Sequence, residues 1–170
     1  MKRDLLASAA LALAALLAGS PAATGAAPQT AAGMPESTRL APADLKWMPA
    51  PPVIPPGVQL AVLRGDPFAE GIFTIRLKIP PHYTFPPHWH PTAESFSVLS
   101  GTLFIGMGDN VDRSKAKALP AMSFAALPAV HHHYAYTGDQ GTVIDLTGYG
   151  PFQIYYVNPA DAPTKIAGKP

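Results

Sequence analysis

Apolar and polar residues alternate along most of the chain after residue 57, which is the period-two pattern of half-buried β-strands. A strand predicted over residues 72–79 shows it most clearly, since from residue 73 every second side chain is apolar and those between are polar or charged. The apolar set is Phe73, Ile75, Leu77 and Ile79. Further strands are predicted at residues 58–63, 95–99, 102–107, 122–127, 134–137, 142–146 and 152–157. Eight or nine short strands, with no strong helical segment between them, favour an all-β sandwich or closed barrel, with the jelly roll among the candidates.

The first 26 residues have the composition of a cleavable signal peptide. Lys2 and Arg3 supply a positive start, residues 5–18 form an apolar run rich in Leu and Ala, and small residues follow at 19–26. The apolar run is shorter than the roughly 20 residues of a membrane-spanning helix, so we expect cleavage rather than retention as a membrane anchor. This predicts a periplasmic or secreted protein with no membrane span after cleavage.

Residues 27–57 are expected to form a flexible or extended proline-rich arm. One short helix is expected within residues 37–47, whereas the prolines of residues 49–57 exclude a regular helix or a central strand. The predicted organisation is therefore a signal peptide (1–26), this N-terminal extension (27–57), a β-barrel (58–163) and a C-terminal tail (164–170).

Charge and composition exclude several classes of function. Twelve Lys and Arg against eleven Asp and Glu give a formal net charge of +1, which is too small to indicate nucleic acid as a partner. The sequence contains no cysteine, which excludes disulfides, iron–sulfur clusters and thiolate chemistry. Side-chain metal ligands are therefore restricted to His, Asp and Glu.

Three candidate metal ligands stand close together in the sequence. His88 and His90 are two residues apart, so on an extended strand their side chains point to the same side, and Glu94 shares their parity. Two imidazoles and a carboxylate that converge on one point form a facial metal site with open coordination positions. The same parity places Phe96 and Val98 beside Glu94 as an apolar wall. The alternative is that these are ordinary surface histidines in a proline-rich loop.

A fourth ligand must come from a different strand, because three ligands from one strand and turn cannot encircle an ion. Residues 128–134 carry three adjacent histidines, His131, His132 and His133, which cannot all point at one ion from an extended chain. The local pattern does not choose among them. A surface triplet that chelates free metal is the alternative.

The spacing of these residues resembles the two motifs of the cupin superfamily of small β-barrels. His88-x-His90-x3-Glu94-x6-Gly101 is similar to the first motif. In the family that motif usually opens with a glycine six residues before its first histidine, and His82 stands at that position here.

The second cupin motif resembles the run from Pro128 to His133, with Val130 in place of its glycine. This resemblance identifies His133 as the fourth ligand, rather than either of its two histidine neighbours. It covers residues 58–163 and implies a double-stranded β-helix with the metal in the barrel mouth. The flanking turns are also similar to those of an exported group of single-domain cupins.

The predicted cofactor is one divalent transition-metal ion. Three neutral imidazoles and one carboxylate would leave the site with one net positive charge, and Fe, Mn, Zn, Ni and Cu all accept these donors. Such an ion can act as a Lewis acid or lower the pKa of a bound water. Asp145 lies within an otherwise apolar strand and is the candidate catalytic residue, as a general base or a partner of a ligand histidine, if it faces inward. Strand alternation alone allows Asp145 to face outward just as well as inward.

We expect an exported metal-binding cupin that is a metalloenzyme acting on a small organic molecule, of the dioxygenase, isomerase or hydrolase type. One alternative is a non-catalytic cupin that binds or senses a small molecule, and another is a barrel whose metal mainly stabilises the fold. The expected partners are a small-molecule ligand or substrate and a second copy in a homodimer, paired through exposed edges such as residues 58–63 and the proline-rich arm.

Overall fold

The computed structural model describes residues 37–163 of the 170-residue chain. The predicted signal peptide (1–26), the first part of the arm (27–36) and the C-terminal tail (164–170) lie outside the described residues. Within residues 37–163, no helix reaches the length and apolar content needed to cross a membrane.

Eleven strands and two single-turn 3₁₀-helices make up the regular structure of the described residues. The strands are β1 (Met48–Pro49), β2 (Gln59–Arg64), β3 (Gly71–Ile79), β4 (Thr84–Trp89), β5 (Glu94–Ser100), β6 (Thr102–Met107), β7 (Lys117–Pro120), β8 (Phe124–Leu127), β9 (His133–Thr137), β10 (Thr142–Gly150) and β11 (Tyr155–Tyr156). The helices are Pro42–Asp44 and Pro159–Asp161. The prediction of an all-β fold is confirmed.

The strands form two antiparallel sheets that face each other across one apolar core. One sheet has the order β1-β2-β3-β10-β5-β8 and the other has the order β11-β4-β9-β6-β7. Strand β3 shows why the core lies between them, because its alternating apolar set is at most 3% exposed while its polar set faces outward. The buried set is Phe73, Ile75, Leu77 and Ile79. This is the jelly-roll arrangement, which was among the candidates that the strand pattern allowed and which the resemblance to cupins implied.

Besides the two-residue β1, two strands were not predicted from the alternation. Strand β4 contains Pro86 and Pro87, which cannot donate hydrogen bonds to a neighbouring strand, and its pairing with β9 shifts between Phe85 and His88. Strand β7 begins within residues 112–119, whose charged composition is compatible with a short helix or an irregular excursion, and it pairs with β6. In both places tertiary pairing outweighs the local composition.

The proline-rich segment is attached to the barrel rather than lying free of it. Strand β1 pairs with β2, so the edge predicted at residues 58–63 is covered by Met48 and Pro49. The expected short helix is the single turn Pro42–Asp44. Trp47 packs under the Lys78 ammonium group at 5.2 Å from the ring centroid, and Ile54 reaches the core, where it is 4% exposed.

Candidate metal centre

Three histidine side chains meet between the two sheets. His88 in β4 lies directly opposite His133 in β9, and their ring centroids are 4.2 Å apart. His90 follows the end of β4, and its ring lies 5.1 Å from that of His88 and 5.5 Å from that of His133. One nitrogen from each ring falls within a cluster no wider than 4.8 Å. His88 and His90 therefore point to the same side, as period-two alternation predicts. Trp89 between them points outward and stacks on Tyr155.

Glu94 approaches the histidines from the opposite sheet. Residues 90–93 turn the chain from β4 into β5, and Glu94 is the first residue of β5. Its carboxylate oxygens lie 3.3 Å from His133 Nε2 and 3.5 Å from His90 Nε2. The three histidines and Glu94 are each between 4% and 8% exposed. The two sheets therefore supply one buried group of four donors.

Backbone carbonyls fix the orientation of all three imidazole rings. Each Nδ1 atom lies within 2.6–2.8 Å of a carbonyl oxygen, and those oxygens belong to Pro86, Gln153 and His131. Since a carbonyl only accepts hydrogen bonds, each Nδ1 carries a proton. In the neutral ring this leaves the lone pair on Nε2, which is the atom that faces Glu94 in His90 and His133. This is the tautomer that a metal ligand needs.

Burial sets the charge states in the metal-free site. It lowers the pKa of His88 well below its ordinary value, helped by repulsion from His133 and His90. Burial also lowers the pKa of His90, despite the opposing effects of the Glu94 charge and the bond to Gln153. For Glu94 burial acts to raise the pKa, but the hydrogen bond with His133 and the charges of His90 and His133 outweigh it, so that pKa is lowered. These directions favour neutral imidazoles at His88 and His90 and an ionised carboxylate at Glu94, which are the protonation states that metal ions bind.

The donor set fits a divalent cation. Within the described part of the chain, Glu94 Oε2 is buried and has no hydrogen-bond partner. The nearby Nε2 atom of His90 carries a lone pair and so cannot donate a hydrogen bond to Oε2. The contact between Glu94 Oε1 and His133 Nε2 is favourable only if a proton or a cation lies between the two atoms. Such an excess of buried acceptors is costly unless a positive charge satisfies it. Nitrogen and oxygen donors of this kind suit first-row transition metals.

An apolar cavity of about 50 Å³ adjoins the four donors. That is room for roughly three to five water molecules, since one needs about 10–15 Å³. Among the residues of the described chain that line the cavity, the donors are the polar members, and all the others are apolar. The apolar lining is Ile54, Leu77, Ile79, Phe85, Phe96, Leu103, Ile105, Ala135, Ile144, Leu146, Phe152 and Ile154. Phe96 thus lines the cavity as its parity with Glu94 predicts, whereas Val98 is buried in the core beside it.

Asp145 lies outside this site, which corrects the hypothesis that it is a catalytic residue facing inward. Its carboxylate accepts two hydrogen bonds from the Arg76 guanidinium, at 2.6 and 2.8 Å. Asp145 pairs in register with Arg76, and alternation along β10 turns Ile144 and Leu146 to the core instead. The cost of desolvation favours the outward orientation of Asp145, because on the outer face the carboxylate keeps both its ion pair with Arg76 and its contact with water.

The remaining histidines lie on the surface. His131 is exposed, and His132 bonds through Nδ1 to Asp109 Oδ1 at 2.6 Å. His82 has a side chain that is 72% exposed. His82 and Val130 occupy the two positions where the cupin motifs carry glycine, and both have positive φ angles, of 55° and 58°. The backbone turns that glycine favours are therefore kept with other residues.

The distant parts of the cavity wall were missed by sequence reasoning. Phe152 and Ile154 come from the segment between β10 and β11, and Ile54 comes from the loop between β1 and β2. Neither segment is near the histidines in the sequence, so no local spacing connects them to the site. Long-range pairing alone brings them there.

Comparison with known proteins finds a family for the chain. The profile of the ChrR Cupin-like domain matches residues 35–153. A search of curated proteins finds no match.

Solved structures show the same fold at low sequence identity. The polyketide cyclase RemF from Streptomyces resistomycificus is 18% identical, with a TM-score of 0.62, over 75% of this chain and 89% of that protein. The DMSP lyase DddQ from Ruegeria pomeroyi DSS-3 is 17% identical, with a TM-score of 0.53, over 67% of this chain and 61% of that protein. An RmlC-like cupin from Shewanella frigidimarina NCIMB 400 is 14% identical, with a TM-score of 0.51, over 65% and 87% of the two chains.

Proposed function

Because the chain belongs to the ChrR Cupin-like domain family, we propose that it is a metal-binding cupin in which His88, His90, Glu94 and His133 hold one divalent transition-metal ion. The observation that carries this proposal is the unpartnered, buried Glu94 Oε2 beside imidazoles whose Nδ1 atoms are already bonded. Fe, Mn, Zn, Ni and Cu all accept these ligands, so the donor set defines the class of ion and not its identity.

We propose further that the protein is a metalloenzyme acting on a small organic molecule. A bound ion with free coordination positions would supply Lewis-acid chemistry or an activated water. The protein's own part is to fix the three rings through their carbonyl partners and to keep bulk water out with the apolar wall. Reactions of the dioxygenase, isomerase or hydrolase type are compatible with such a site.

A second candidate function is binding or sensing without turnover. It is favoured by the composition of the cavity wall, because in the described chain no acid or base other than the four donors lines it. Release of a chemically altered molecule by the metal-loaded protein supports the enzyme. Recovery of the unaltered molecule, bound stoichiometrically, supports the binding module.

We also propose that the protein is exported to the periplasm or secreted, and that it forms a homodimer. The charged start, apolar run and small residues of residues 1–26 support export. The exposed edge of β8 supports pairing of two copies, since it ends the six-stranded sheet and carries Phe124 with 65% of its surface exposed.

Elemental analysis of protein purified without an affinity tag tests the metal site. We expect about one transition-metal ion per chain in the wild type, and a loss of affinity of at least about 100-fold in His88→Ala, Glu94→Ala and His133→Ala. The matched control is the double variant His131→Ala/His132→Ala, which keeps the His131 backbone carbonyl that orients His133. Circular dichroism checks that each variant folds. A wild type that holds no metal after reconstitution, or a control that loses it, contradicts the proposal.

A further inference from the structure

The segment between β10 and β11 contributes to the metal centre in two ways at once. Phe152 and Ile154 line the cavity, and the backbone carbonyl of Gln153 between them accepts a hydrogen bond from His90 Nδ1 at 2.7 Å. The Phe152 ring also packs on the His90 ring, with centroids 5.1 Å apart. We call residues 152–154 the strap. Two side chains that line the cavity are thus on the same short segment that orients a proposed metal ligand.

His90 differs from the other two histidines in this respect. His88 and His133 are held by carbonyls only two residues before them, in Pro86 and His131. The partner of His90 lies 63 positions away in the sequence. The orientation of His90 therefore depends on the strap, whereas the other two rings are oriented by their own strands.

A second segment closes the cavity beside the strap. Ile54 lines the cavity from the loop between β1 and β2 and is 4% exposed. The two segments are tied together, because Tyr156 next to the strap donates a hydrogen bond to the Val53 carbonyl at 2.8 Å. Tyr83 donates another to the Pro55 carbonyl. These bonds hold Ile54 against the cavity next to Phe152.

The chemistry of the cavity limits what can occupy it. Three neutral imidazoles, one carboxylate and a divalent ion leave one net positive charge in apolar surroundings, where an unbalanced charge is costly. A monoanionic oxygen group on the bound molecule would cancel that charge. Among residues 37–163, the rest of the molecule would meet only apolar side chains, so a second charged or hydrogen-bonding group would be buried without a partner.

We propose that the site takes small molecules with one anionic oxygen headgroup and an apolar body, and that Phe152 and Ile54 are the specificity-determining residues that decide which apolar bodies fit. This inference rests on the proposed metal centre, because the headgroup is placed at the metal. Phe152 sets how long an apolar body the cavity accepts. Because Phe152 is part of the strap, the length of the bound molecule is coupled to the orientation of His90.

Titration of the Co(II)-loaded protein with straight-chain carboxylates from acetate to octanoate tests the proposal, with the visible spectrum of the bound ion as the readout. In the wild type, affinity should rise about fourfold with each buried methylene group and then fall once the cavity is full. Phe152→Ala and Phe152→Leu, each loaded with one Co(II) ion before the titration, should move the optimum to longer chains. Ile54→Ala should do the same. The matched control is Gln153→Ala, which keeps the backbone carbonyl that holds His90 and removes an exposed side chain whose one hydrogen bond, accepted from the Tyr155 hydroxyl at 3.3 Å, lies outside the cavity.

Alkylammonium ions of the same lengths test the charge of the headgroup, and they should not change the spectrum. A chain-length optimum that is the same in the wild type and in both Phe152 variants overturns the inference, as does binding of alkylammonium ions as tight as that of carboxylates. In those cases the metal is still present, so the proposed metal centre stands. Failure of the wild type to bind any metal overturns the metal centre and this inference with it.

Discussion

The metal-free protein should lose stability as the pH falls from about 7.5 to about 5, because burial disfavours the protonated forms of His88 and His90 in the folded state. Burial lowers both pKa values from the ordinary value of 6.5. In the unfolded chain these histidines bind protons below that value, so the unfolded state binds more protons and stability decreases with decreasing pH. A histidine that stayed neutral down to pH 5 would cost about 2 kcal/mol relative to an unfolded pKa of 6.5, which is the upper limit for each residue. His88, whose pKa is lowered further, should contribute more than His90.

Urea unfolding of chelator-treated protein at a series of pH values measures this free energy. His88→Gln cannot take up a proton in either state, so it should reduce the pH dependence by up to about 2 kcal/mol. His131→Gln is the matched control, since it makes the same substitution at an exposed histidine outside the buried cluster. An equal pH dependence in the wild type and His88→Gln, or a stability that increases toward pH 5, would refute the assignment of buried, neutral imidazoles.

Two further substitutions test the placement of residues around the site. Asp145→Asn should leave the metal content unchanged and cost no more than about 1 kcal/mol in urea unfolding, because its pair with Arg76 is a quarter exposed on the outer face; loss of the metal would place Asp145 in the site after all. Val130→Gly should stabilise the protein by about 1 kcal/mol, since a β-branched residue at φ of 58° is strained there and glycine is not. Metal content should again be unchanged, and a destabilised Val130→Gly variant would contradict the strain argument.

Much of the fold follows from local pattern. The alternation in residues 72–79 predicts both the strand β3 and the side that it buries, and the structure confirms them. The pattern fails at β4, where Pro86 and Pro87 are poor strand formers held in place by pairing with the strands on either side. It also fails at β7, whose pairing with β6 is a long-range contact that the composition of residues 112–119 does not reveal.

The candidate site, like the fold, was only partly predictable from local spacing. The period-two rule brings His88 and His90 together and turns Trp89 away, because both consequences depend only on extended backbone. Glu94 lies beside the histidines, as its shared parity predicts, but not for the reason that parity gives. The residue is not on the same strand as the histidines, and a turn carries it into the opposite sheet.

The sequence alone determined the all-β class, the donor types and the pairing of His88 with His90, since these depend on side-chain chemistry and on spacings of a few residues. Local spacing did not choose among His131, His132 and His133, and only the resemblance to the second cupin motif pointed to His133. The sequence left Asp145 undecided between two faces, and it gave no sign that the strap holds His90 or that Ile54 closes the cavity. Only the tertiary structure decided these points, because the register of β10 against β3 and the approach of residues 152–154 to His90 are contacts between segments about 60 to 70 positions apart. Local periodicity fixes which way a side chain points along its own strand, but the partner it meets depends on how distant strands pair.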